Sequence, residues 1–241
     1  MKNTFTIMTL ILATMLAGCK TVQVADLKPK NPIANKLPSL EPLVHIGSFE
    51  AAYSLGTTVG SAGMPGMGGS GVMGAGSILG YATAFTDRRI QDAIVLFERE
   101  VRDNITLGGN TTIGSAVGRI LTGETKVKGW GWYAASLVTL TIPNLFGMPF
   151  CYYQTELELE VEIRDCNENT IGRYQGYGRR HTTVALWHGY GGAESPQQIT
   201  GNEGAARMSN INAIKMAMDD IKTKIDADAP RLRQELEACR K

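Results

Sequence analysis

The most regular stretch of the chain runs from Glu156 to Ile163, where acidic and apolar residues alternate without a break. A period of two places Leu157, Leu159, Val161 and Ile163 on one side of a strand. It places Glu156, Glu158, Glu160 and Glu162 on the other. Asp165 to Asn169 is rich in turn-forming side chains, so the chain reverses there and Ile171 onward reads as a return strand. Charge selects the register of this hairpin. Setting Glu162 opposite Arg173, Glu156 opposite Arg179 and Val161 opposite Tyr174 pairs opposite charges on one face. A slip of one residue would bring Arg173 against Val161 and invert an apolar face.

Two segments follow the helical period instead. Ile90, Ile94, Phe97, Val101 and Ile105 recur at spacings of three and four. They predict an amphipathic helix from Arg88 to Ile105, with Thr86 or Asp87 as its cap, Glu98, Arg99, Glu100, Arg102 and Asp103 outside, and Gly108-Gly109 as its stop. Thr200-Gly-Asn-Glu203 is a capping box. The stripe after it, Ile211, Ile214, Met218, Ile221 and Ile225, predicts a second helix packed on the sheet. Pro230 interrupts it, and Leu232, Leu236 and Cys239 form a shorter tail. Leu43 to Ile46, between Pro42 and Gly47, reads as a short first strand. The sum is an α+β body: an antiparallel sheet with a long hairpin, covered on one face by amphipathic helices.

Two stretches carry no charge at all. From Ala51 to Thr86 there are ten glycines, with Met64, Met67 and Met73 among them. Gly66-x-Gly68-x-x-Gly71 has the letters of a dinucleotide fingerprint, but more glycine follows where that motif needs a helix. The stretch reads as a flexible loop, with interfacial or oligomer contact as the alternative, because small residues four apart permit close backbone approach. The second stretch follows Lys128. Trp130, Trp132 and Tyr133 stand at one end, and Phe150, Tyr152 and Tyr153 at the other, with Leu145 and Phe146 between. Pro143, Gly147 and Pro149 exclude a spanning helix. Two readings are open: a buried strand from Ser136 to Ile142 with a buried loop after it, or an apolar loop resting on lipid through Trp130, Trp132, Tyr133, Leu145, Phe146 and Phe150.

Charge adds little: 24 basic and 23 acidic residues leave a net charge of +1, which gives nucleic-acid binding no support. The chain has no GxSxG, no HExxH and no histidine pair with metal-ligand spacing. Arg179-Arg180-His181 could take an anionic group, but the glutamates partly offset its charge, and structural pairing with them is the preferred reading. No metal or catalytic group is expected. With Cys19 set aside, Cys151, Cys166 and Cys239 allow one disulfide in three pairings, of which Cys166 with Cys239 is geometrically open; three free thiols is the alternative.

The amino terminus is the most specific part of the sequence. One lysine, Lys2, precedes an apolar run from Phe5 to Leu16, and Ala17 and Gly18 stand before Cys19. This is the layout of an export signal. Leu16-Ala17-Gly18-Cys19 resembles the lipobox of bacterial lipoproteins. The resemblance implies cleavage between Gly18 and Cys19, a diacylglyceryl thioether on Cys19 and an acyl chain on its new amino group. No other cofactor is implied. Lys20 in place of the retention aspartate of enterobacteria implies the outer membrane. The layout over residues 126 to 225 is similar to small α+β envelope lipoproteins of uncharacterised function.

The expected organisation is a signal at 1–18, a lipidated tether at 19–40, and one domain at 41–241 with a Gly-rich insertion at 51–86. The expected role is a non-enzymatic, membrane-anchored accessory of an envelope assembly with a protein partner. The alternative is an oligomeric, pore-like lipoprotein that uses the Gly-rich and apolar loops.

Overall fold

In a computed structural model, the structure describes residues 22, 24–29, 31–55, 88–109, 112–139, 142–185 and 203–239. The signal, Cys19, the caps at Thr86, Asp87 and Thr200, and the glycines from Gly56 to Gly80 lie outside them. The described chain is an α+β fold. Four strands, β1 (Leu40–Val44), β2 (Gly114–Lys128), β3 (Pro149–Arg164) and β4 (Thr170–Ala185), form one sheet in sequence order. β2, β3 and β4 are antiparallel neighbours, whereas β1 runs parallel to β2. A parallel pair needs a crossover. Its described parts are α1 (Ile46–Leu55) and α2, which is α-helical over 88–99 and continues as a π turn, Glu100–Ile105. β1 therefore stops at Val44, and Ile46, read as strand, opens a helix that runs into the first residues of the charge-free stretch.

The hairpin has the register that charge selects: Glu162 faces Arg173, Glu156 faces Arg179, and Val161 faces Tyr174. Leu157, Leu159, Val161 and Ile163 are buried under the last helix, α5 (Glu203–Ala238), whose Ile211, Ile214, Met218, Ile221 and Ile225 complete that core. Close approach is possible because β4 alternates glycine with larger residues. A Cβ on Gly176 would strike the carbonyl oxygen of Ala217, and one on Gly178 that of Ala213. Small residues on both partners let the helix backbone lie on the strand. α2 covers β2 in the same way, with the Phe97 ring 2.8 Å from where a Gly118 Cβ would stand.

Three expectations change here. Pro230 lies inside α5, which continues through it. The ring is exposed, while Ala229, Leu232 and Leu236 are fully buried, so packing on both sides offsets the lost hydrogen bond. Glu100 is buried, because the π turn carries the backbone off the α-helical period and brings its carboxylate onto Lys222 of α5, 3.0 Å away. The segment read as a tether is partly core. Ile33, Leu37 and Leu40 are buried, Leu37 bridges to Thr106, and Arg233 donates to the carbonyl of Lys36. Cys166 and Cys239 form a disulfide with a Cα–Cα distance of 6.0 Å, which ties the hairpin turn to the end of α5.

Candidate membrane-facing site

β2 ends at Lys128, and Gly129 turns the chain at φ +96°, a left-handed conformation that favours glycine. Helix α3, Trp130–Val138, follows, then the short turn α4, Ile142–Leu145. One of the two readings, a buried strand from Ser136 to Ile142, is not met among the described residues of that span, which are helical or in a turn. The hydroxyls of Ser136 and Thr139 donate back to the carbonyls of Trp132 and Ala135, at 2.7 and 2.8 Å. These local bonds complete the helical end in a stretch whose β-branched residues suggest a strand. Asn144 closes the following turn by donating to the carbonyl of Met148 at 3.0 Å, and Gly147 takes φ +93°.

This corner exposes apolar side chains. Val138 is 84% exposed, Phe146 76%, Ile142 55% and Trp132 47%. Phe150 is 6% exposed and drops out of the predicted contact set: it belongs to β3, where its side chain is covered. The side chains of Trp130, Tyr133 and Leu145 lie outside the described residues. Val138 and Ile142, which one of the two readings placed in a buried strand, join the surface.

The other wall of the corner is the polar face of the sheet. Here the four glutamates do not share one environment. Glu162 is nearly covered by Arg164 and Arg173, each at 2.8 Å, with Arg119 at 4.0 Å. A hydrogen bond from Arg164, with the Arg173 and Arg119 charges behind it, holds its carboxyl below the ordinary range. Glu160 is also buried and accepts from Gln175 at 2.9 Å. The central strand thus hides its acids beneath long side chains from β2 and β4. Glu156 is more open and accepts from Arg179 Nε at 3.1 Å. Among the described residues, no group of three His, Cys, Asp or Glu side chains could hold a metal.

Beyond Glu156 the face turns basic. Arg179, Arg180 and His181 line a cavity of about 380 Å³ together with Trp132, Tyr152 and Thr183. The Tyr152 and His181 rings meet edge to face with centroids 6.0 Å apart. Lys126 and Lys128 stand directly across the strands from Gln154 and Tyr152. No protein-family model matches this chain, and no characterised protein matches it. The signals for this cavity were present in the sequence as Arg179-Arg180-His181. What the sequence could not show is that Trp132, in a helix made by Trp130–Val138, lines the same cavity.

No helix among the described residues is long and apolar enough to cross a membrane. Apolar side chains exposed beside a basic polar face form an amphipathic surface that can rest on a bilayer without crossing it.

Proposed function

We propose that this chain is a non-enzymatic envelope lipoprotein, anchored through acyl chains on Cys19 to the outer membrane. In this reading the α3–α4 corner rests on the lipid surface, and the protein serves as an accessory, partner-binding component of an envelope assembly. The observation that carries the reading is where the start of the packed chain leads. Lys36 is held by Arg233, Asn35 by Asp226, and Asp26 by Lys215. Toward its amino terminus, the chain therefore runs back along α5 toward that helix's own amino-terminal end. There Ala205 and Ala206 pack beside Tyr153, Val184 and Cys151, at the same end of the sheet as Gly129 and α3. An anchor three residues ahead of Val22 is confined to about 10 Å from it, so lipid chains and apolar corner can meet one bilayer. The Cys166–Cys239 disulfide fits an oxidising, exported compartment.

The test is to replace Cys19 with alanine, label cells with palmitate and fractionate the envelope. Loss of label and loss of membrane association are expected. A variant that keeps both overturns the reading.

The exposed Val138 and Phe146 would also be covered by self-association, which is the oligomeric, membrane-active alternative. A chain beginning at residue 21 distinguishes them. A monomer without detergent rejects the oligomer, and a detergent-dependent assembly supports it.

A further inference from the structure

We infer that the cavity between α3 and the polar face of β3 and β4 binds the phosphate of an anionic phospholipid headgroup. The inference rests on the membrane-facing reading above and assigns that surface a specific lipid chemistry.

Three features of the cavity point to it. The first is charge. Arg179, Lys126 and Lys128 stand at this end of the polar face against Glu124 and Glu156, and Arg180, which alternates to the other side of the edge strand β4, also lines the cavity, four basic groups to two acidic ones. Lys126 is taken up by Glu124 at 2.6 Å. Glu156 holds Arg179 through Nε, which orients the guanidinium and leaves Nη1 and Nη2 without a partner among the described residues. Arg180 and Lys128 have none either among those residues. Paired N–H groups of one guanidinium match two oxygens of a phosphate.

The second is the neutral lining. The hydroxyls of Tyr152 and Thr183, and His181 beside them, add donors around the same space. Trp132 in the first turn of α3 forms one wall, which brings the positive end of a nine-residue helix to the cavity. The third is the unit to which Trp132 belongs. Val138, Ile142 and Phe146 are exposed on the same α3–α4 unit, so a phosphate held here would have its acyl chains beside apolar side chains. A free nucleotide or sugar phosphate would leave that apolar surface in water. Basic side chains next to exposed apolar ones are the complement of an anionic bilayer surface.

The experiment uses the full chain in non-ionic detergent micelles, in a Trp187→Phe background so that emission comes from Trp130 and Trp132. Short-chain phosphatidylglycerol, short-chain phosphatidylcholine and inorganic phosphate are titrated separately. A saturable emission shift with phosphatidylglycerol is expected, weaker with phosphatidylcholine, and weakened about tenfold or more in Arg179→Gln/Arg180→Gln. Arg180→Gln alone removes no contact seen among the described residues, so it should fold normally and still lose part of the affinity. An equal response to inorganic phosphate and to phosphatidylglycerol overturns the headgroup assignment in favour of a free-anion site. The absence of any shift, or unchanged affinity in the double variant, overturns the site. Palmitate labelling of the same preparation reports on Cys19 independently, so failure of the anchor reading cannot be mistaken for failure of the cavity.

Discussion

Glu162 and Glu100 show how differently two buried carboxylates behave. Glu162 lies under arginines whose hydrogen bonds and charges outweigh its burial, and its folded pKa falls below its ordinary value of 4.5. A group depressed on folding adds stability that is present above the unfolded value and lost as pH falls through the folded one. Glu162→Gln should therefore flatten the acid limb of an unfolding curve below the ordinary carboxylate range and change its shape little near neutrality; an unaltered acid limb would show that the arginine cover contributes nothing. Glu100 is raised instead, chiefly by burial, with Lys222 and Asn104 only partly opposing it. Here folding favours the protonated form, so stability declines as pH climbs from the unfolded value through the folded one. Lys222 is the only cation within ion-pair distance of Glu100 among the described residues. Lys222→Met should cost about 3–5 kcal/mol at neutral pH, because it leaves an uncompensated buried charge. Thermal melts should show that loss shrinking on acidification and shrinking also when Glu100→Gln is added.

Among the elements, α5 is the one on which the fold closes, and its contact with β4 is governed by missing side chains. Gly178→Ala should destabilise by about 1–3 kcal/mol, since a Cβ meets the Ala213 carbonyl and the helix must move away; a denaturant midpoint equal to wild type would mean that α5 does not lie this close. Pro230→Ala should act in the opposite direction, because the proline is exposed within a helix that continues on both sides of it. The same elements show what was legible in the sequence. The hairpin and its register could be read because alternation and charge are local, additive signals. The buried stripe of α5 could be read for the same reason. Continuity through Pro230 could not, since it depends on Leu232 and Leu236 finding a sheet beneath them. The helix at Trp130–Val138 was hidden by the β-branched residues Val138, Thr139, Thr141 and Ile142 at and beyond its end, and its exposed apolar residues look the same in sequence as buried ones. Of the candidate site, the Arg-Arg-His run and Trp132 were visible, whereas their meeting across a cavity is a tertiary fact.

At the scale of the whole molecule, the helices cover one face of the sheet and leave the glutamate-bearing face to its own arginines, so neither broad face is apolar and open. The exposed apolar surface at the α3–α4 corner has counterparts elsewhere, in Leu43 and Ile46 at 42% and 56% exposure, and these supply an internal control. Isolated exposed apolar residues are common on soluble proteins, whereas membrane contact needs them gathered beside basic groups. A chain beginning at residue 21, which lacks Cys19, should float with phosphatidylglycerol vesicles if the corner itself meets lipid. Val138→Asp/Phe146→Asp should lower that partition by roughly tenfold or more. An apolar side chain withdrawn from water contributes about 1.5–3 kcal/mol, and each 1.4 kcal/mol is about tenfold. Leu43→Asp/Ile46→Asp removes as many apolar side chains away from the corner and should leave flotation unchanged. Equal losses from both pairs would mean that the vesicles respond to general hydrophobicity. No flotation of the unsubstituted chain would leave the acyl chains proposed on Cys19 as the whole attachment, and the corner would then be expected to face a protein partner instead of the bilayer.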